Sequence, residues 1–180
     1  IFGSDAIAAQ KIGVQIESIT YMAIGGLNSA VASFVGQNFG AKKYDRINQG
    51  YKSALKLGMI YAFLISIIFI LFPSYLVKIF ISSEKTILIA SRYLQIIGFV
   101  QIFSAIEMIS NGLFSGIGMP KIPSTISIIF TVFRIPMALV FIKYIGVNGI
   151  WLSIALSSML KGIIAYLVYR IKYLETFKLS

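Results

Sequence analysis

Long apolar runs, separated by short basic or turn-rich segments, set the pattern of this chain. From Ser18 to Ala41 there is no charged residue, and Lys11 and Glu17 sit at or inside the start of that run. Leu57 to Val77 is a second stretch, fenced by Lys56 and Lys78. Tyr93 to Pro120 is a third, fenced by Arg92 and Lys121 and broken only by Glu107. Ile122 to Ile142 contains Arg134, and Val147 to Tyr169 contains Lys161. A helix needs about 20 mostly apolar residues to cross a hydrocarbon core of roughly 30 Å. The pattern therefore predicts an all-α, polytopic membrane bundle of five transmembrane helices, over residues 9–40, 57–77, 93–119, 122–142 and 147–169.

The connections suit that reading. Gly40-Ala41-Lys42-Lys43-Tyr44-Asp45-Arg46 closes the first helix and opens a basic, amphipathic segment. Ser82-Ser83-Glu84-Lys85 is a polar turn, Gly118-Met119-Pro120-Lys121-Ile122-Pro123 a tight one, and Gly146-Val147-Asn148-Gly149 another. None has room for a soluble domain.

Composition agrees: 58% of the 180 residues are hydrophobic and only 12% charged, whereas a soluble domain is about a quarter charged. The formal net charge of +10 would suggest nucleic acid if the cations were clustered on a polar chain. They are spaced between apolar runs, so the expected counter-charge is the lipid bilayer, with no nucleic-acid partner. The absence of His and Cys removes the usual transition-metal ligands, thiol nucleophiles and disulfides. Gly116-Ile117-Gly118 is a bare GxG, and neither GxxxxGK[ST] nor G-x-S-x-G occurs. Neither catalysis nor a cofactor is expected.

Orientation follows from where the cations fall. Five spans put Lys42, Lys43, Arg46, Lys52, Lys56, Lys121, Arg170, Lys172 and Lys178 on one face, and Lys11, Lys78, Lys85, Arg92 and Lys143 on the other. Nine against five favours a cytoplasmic C-terminus in a cell membrane. An odd helix count starting outside, opening on Ile1-Phe2 rather than Met, is expected of a fragment whose earlier helices are missing.

Ionisable groups at bilayer depth are expensive and are functional candidates by default. At about 100° per residue, Gln10, Glu17, Tyr21 and Asn28 share a stripe of the first helix. Ser104, Glu107, Asn111 and Ser115 share a face of the third, with Gln101 at its edge. Two polar stripes, each with one carboxylate, imply a shared wet cavity whose acids bind H⁺ or Na⁺ or pair with a cationic substrate. Glu107, at mid-span, is the first candidate for a bound Na⁺. The plainer reading is that each acid ties helices together or is solvated near an interface. Arg134 and Lys161 lie about nine residues, roughly 13 Å, from a helix end. They read as anchors or internal counter-ions, with Lys161 open to pairing with either acid. Gly36-x-x-x-Gly40 and Gly112-x-x-x-Gly116 permit close helix contact. Gly25-Gly26 and Pro136 are candidate weak points of their helices. Trp151 and the tyrosines near helix ends read as an interfacial belt.

Several strings resemble the multidrug and toxic compound extrusion (MATE) family. They are Ala9-Gln10-Lys11-Ile12-Gly13-Val14-Gln15-Ile16-Glu17-Ser18, and Val35-Gly36-Gln37-Asn38-Phe39-Gly40-Ala41 with the basic stretch after it. Asn111-Gly112-Leu113-Phe114-Ser115-Gly116-Ile117-Gly118, Phe133-Arg134-Ile135-Pro136, Gly146-Val147-Asn148-Gly149-Ile150-Trp151 and Leu160-Lys161-Gly162 follow in order. The resemblance implies a twelve-helix antiporter of two six-helix lobes, with this chain similar to helices eight to twelve and the N-terminal lobe missing. It implies export of amphipathic or cationic organic compounds in exchange for H⁺ or Na⁺ by alternating access, with Glu17 and Glu107 on the helices that carry cavity acids. Rival readings are a lipid-linked oligosaccharide flippase of the same superfamily, and a non-transporting membrane assembly subunit whose acids pair with a partner's basic residues.

Overall fold

Only a structure that satisfies its own backbone polar groups can cross hydrocarbon, and runs rich in Ile, Leu and Ala do so as helices. A computed structural model describes residues 3–177, with side chains over 4–172. Lys178, counted above with the basic tail, and the opening Ile1-Phe2 lie outside the described residues. The helices are α1 (Gly3–Gly40), α2 (Tyr44–Leu71), α3 (Pro73–Lys78), α4 (Glu84–Gly98), α5 (Gln101–Gly116), α6 (Lys121–Ile145) and α7 (Val147–Phe177). Four of them, α1, α2, α6 and α7, are long and apolar enough to cross a membrane singly, and α4 and α5 reach that length and hydropathy only together, as a bent pair.

Polarity is inverted relative to a soluble bundle. Phe63, Leu64, Ile128, Val132, Phe133 and Leu139 are exposed, while Glu17, Gln101, Ser104, Ser157 and Lys161 are buried. On α6 the single buried residue is Ile126, so this helix turns most of its apolar surface outward. Such a distribution suits a hydrocarbon solvent, where burial of apolar surface between helices drives nothing and packing of small and polar groups does the work.

Two apolar clusters cap the polar middle. At one end Ile47, Tyr51, Ile117 and Tyr169 pack with Tyr44, Met119 and Ile122. This cluster gathers the α1–α2 turn, the α5–α6 turn and the end of α7, the three basic segments that the alternation of spans assigns to one face. At the other end Ala9, Val77, Ile87, Leu94 and Trp151 pack with Val147, and Lys85 meets Asp5 at 2.8 Å.

Glycine sets the closest helix contacts. A Cβ on Gly112 would stand 2.5 Å from the Asn28 carbonyl oxygen, and one on Gly116 2.7 Å from that of Ala32. The second small-residue motif thus brings α5 against α1. In the first, a Cβ on Gly36 would stand 3.5 Å from the Gly116 carbonyl oxygen, an ordinary contact, whereas one on Gly40 would face open space. Gly146, at φ +61°, turns the chain in the left-handed region that glycine favours and stacks α7 directly on α6.

Four expectations change. The third span is not one helix over 93–119: α4 and α5 are bent by 57° at the break between Gly98 and Gln101. There the Gly98 carbonyl accepts the Ser66 hydroxyl of α2 at 2.7 Å, and a Cβ on Gly98 would sit 3.0 Å from Ile70. The approach of α2 to a side-chain-free position accompanies the break, with no proline involved. The second span starts earlier and ends sooner than 57–77: the basic segment is the first part of α2, which stops at Leu71 before Pro73 opens α3. Gly25-Gly26 does not loosen α1, which is continuous through both. Trp151 is not interfacial but fully buried, edge-on to Tyr93 with ring centroids 5.6 Å apart.

Candidate functional site

The site begins with Glu17. Tyr21, one turn along α1, donates its hydroxyl to Glu17 Oε1. Tyr93 of α4 donates to Oε2 at 2.9 Å. Gly13 makes the second bond reachable, because any side chain there would run into the Tyr93 ring. Both oxygens of a buried carboxylate are therefore satisfied by phenols. Among the described residues no ammonium or guanidinium stands within ion-pair distance of Glu17.

Glu107 is held differently. Lys161 Nζ of α7 lies 3.9 Å from Glu107 Oε1, the two side chains 11% and 15% exposed. Ser127 of α6 donates to the same oxygen at 3.3 Å. The pair forms because α7 comes very close to α5: a Cβ on Gly162, next to Lys161, would run into the backbone of Phe103, one turn before Glu107. Arg134 of α6 donates through Nε to Ser157 of α7 at 2.9 Å, and its charge acts on both carboxylates.

Tyr21 lies between the two halves, near enough to Ser104 of α5 and to Glu107 for both to act on its hydroxyl alongside Glu17. The result is one polar cluster drawn from α1, α4, α5, α6 and α7. It holds two carboxylates and two basic groups, a formal charge of zero. Buried in low dielectric, such charges interact strongly and respond to any ion added among them. At its margin, Gln101 Nε2 and Trp151 Nε1 are buried donors without a hydrogen-bond partner among the described residues.

The sequence-derived residues divide accordingly. Glu17, Tyr21 and Glu107 come together. Asn28 packs on Gly112 at the α1–α5 crossing, with half-buried Asn111 beside it on α5. Gln10 stays on the Glu17 face of α1 but two turns away from it, and lines a separate cavity of about 380 Å³ with Ile7, Lys11 and Val14, where the neighbouring side chains are outward-facing ones. Lys161 takes Glu107 as its partner, the pairing that spacing left open. Tyr93 was missed, because its place beside Arg92 reads as a helix end. The glycine at position 13, inside a polar face, was the one local hint of a close neighbour.

This fold, helical and membrane-spanning with Glu17, Glu107, Arg134 and Lys161 drawn into the bundle, is that of a polytopic membrane bundle with a polar centre. The family model described as MatE matches residues 1–140, and the chain belongs to that family. It is 31% identical over 174 residues to the probable multidrug resistance protein NorM of Thermotoga maritima, covering 94% of this chain and 35% of that protein. It is 24% identical to the multidrug and toxin extrusion protein 1 of Homo sapiens, covering 91% of this chain and 29% of that one. Among solved structures it superposes on the Vibrio cholerae MATE transporter VcmN in the bent form with a TM-score of 0.89 at 22% identity, over 99% of this chain and 41% of that one. A MOP superfamily transporter from Pyrococcus furiosus, described as having a binding pocket of reversed polarity, gives 0.86 at 20% identity, over 95% and 39% of the two chains. The chain thus spans between 29% and 41% of the length of these relatives.

Proposed function

We propose that this chain is the C-terminal-lobe part of a secondary multidrug antiporter, which exports cationic or amphipathic organic compounds in exchange for H⁺ or Na⁺ by alternating access. It would lie in the cell membrane with its C-terminus cytoplasmic, the orientation favoured by the cation count. The observation that carries this reading is the neutral cluster of two carboxylates and two basic groups at the centre of the helices. Buried charge of that kind in a membrane helix bundle marks ion and substrate paths.

The electrostatics suggest how exchange would work. With Lys161 on Glu107, the carboxylate left to receive a cation is Glu17, whose present partners are neutral phenols. A proton or Na⁺ bound there raises the cluster's formal charge from zero to +1. An organic cation held nearby is then repelled, so the two cations compete for one negative charge. Competition for a single site, alternately open to either side, is sufficient for antiport. Glu107, expected from sequence to take the ion itself, serves in this scheme as the fixed partner of Lys161 and sets the background potential with Arg134. Lys161 is offset by Glu107 and the cluster carries no formal positive excess, which favours a cationic cargo over the anionic one of an oligosaccharide flippase.

The test is uptake of a fluorescent organic cation into proteoliposomes holding the full-length protein, driven by an imposed Na⁺ or pH gradient. Glu17→Gln is expected to abolish the gradient dependence while leaving the folded protein intact by thermal unfolding. Wild-type, gradient-dependent flux in Glu17→Gln would assign the acid a structural role and overturn the scheme.

A further inference from the structure

A second cavity, of about 400 Å³, opens on the outer surface of the bundle where α2, α5 and α7 meet. Its lining is ordered along the helix axes. Lys52 stands at one end, Leu55 and Met59 follow along α2, Ile106 of α5 and the rings of Tyr166 and Tyr169 of α7 complete it. From Lys52 to Met59 is two turns, so roughly 10 Å of apolar wall runs away from one ammonium at helical rise.

The position of the cavity is fixed by both helices at once. On α2 the last charges before the apolar run are Lys52 and Lys56, and on α7 the first after it are Arg170 and Lys172. These boundaries are brought level by the bond from the Tyr169 hydroxyl to Asn48 at 2.6 Å and by the contact of the Tyr51 and Tyr169 rings, 4.2 Å between centroids. The Lys52 end thus lies at headgroup depth, with tyrosines where amphipathic rings favour an interface, and the other end lies within the hydrocarbon. Charge matches as well. Lys42, Lys43, Arg46, Lys52, Lys56, Arg170 and Lys172 share this end, and Asp45 is its one acid among the described side chains.

We propose that this cavity binds an anionic phospholipid, with the phosphate at Lys52 and the start of an acyl chain along Leu55, Met59 and Ile106. An amphiphile with one negative end is the occupant that a lone ammonium followed by an apolar wall selects. Basic recesses between helices at the headgroup level are built for such lipids. The site is separate from the Glu17–Glu107 cluster and stands whether or not that cluster couples ions.

The experiment compares phosphatidylglycerol with phosphatidylcholine in mixed micelles with the full-length protein, reading lipid retention by native mass spectrometry and the thermal unfolding midpoint. Wild type is expected to retain phosphatidylglycerol preferentially and to gain thermal stability from it. Lys52→Gln should weaken that retention about fivefold, the effect of one ammonium at an anionic surface, and Lys78→Gln, at the opposite end of α2's span, should leave it unchanged. Met59→Trp, which fills the apolar half while keeping Lys52, should lose retention too. Equal retention of the two lipids by wild type overturns the proposal, as does wild-type retention in both Lys52→Gln and Met59→Trp. The same thermal gain from glycerol phosphate alone would also overturn it, by showing a soluble phosphate site.

Discussion

Lys161 and Glu107 supply the sharpest test of how the centre of this bundle is held. At 3.9 Å, two unit charges attract by about 4 kcal/mol at an effective dielectric near 20. The residual exposure of both side chains, 11% and 15%, admits some screening, so roughly half of that, about 2 kcal/mol, is the coupling expected. Removing either partner alone leaves a buried charge unpaired, which costs about 3–5 kcal/mol. Lys161→Met and Glu107→Gln should therefore each lower the unfolding free energy of the full-length protein in detergent by that order. The double variant should cost less than the sum of the two by about 2 kcal/mol, because neither charge remains to be left alone. The assay is a double-mutant cycle on reversible chemical unfolding. Additivity within about 0.5 kcal/mol, the behaviour of independent sites, would falsify the pairing and return Lys161 to the role of an interfacial anchor.

Two further outcomes follow from the same contacts. Gly116→Leu should destabilise the protein by about 1–3 kcal/mol through overpacking against Ala32 and Val35, whereas Gly40→Ala, facing open space, should stay within about 0.5 kcal/mol; equal effects would remove the special status of the α1–α5 crossing. Tyr93→Phe deletes a hydrogen bond to Glu17, a bond to a charged group worth about 1.5–3 kcal/mol. In the proteoliposome assay it should lower gradient-driven uptake more than Tyr51→Phe, whose hydroxyl bonds Ser110 rather than a carboxylate; identical losses would detach the phenol from the coupling site.

Much of this architecture was legible along the chain. Long apolar stretches with at most one charge each marked the regions of four single candidate spans and one bent pair, and the cations between them grouped the turns that the structure gathers at one end. The stripe arithmetic found Glu17 with Tyr21, and it placed Glu107 on an inward face of α5. It put Gln10 on the same face, but two turns of helix separate Gln10 from Glu17, and Gln10 lines a cavity beside Ile7 and Val14 instead. The reading failed for Trp151, because nearness to a helix end says nothing about whether a neighbouring helix covers the ring. The break at Gly98 had no local mark: glycine is common in membrane helices, and what distinguishes this one is the Ser66 hydroxyl on another helix.

The sequence by itself determined which segments are helices, which of them are long and apolar enough to cross a membrane, that the basic turns belong to one group, and which acids sit inside apolar runs. Those are properties of hydropathy and charge, which each residue carries wherever the chain goes. The tertiary structure alone decided that Lys161 neutralises Glu107, that Tyr93 closes on Glu17, and that α4 and α5 meet at an angle. Such pairings depend on the rotation and spacing of helices, and these are set by glycines whose missing side chains matter only against a particular neighbour. Gly13 admits a tyrosine ring, Gly162 a turn of α5, and Gly112 a turn of α1. Between them they convert two separate polar stripes into one cluster with a single carboxylate left unpaired by any basic group.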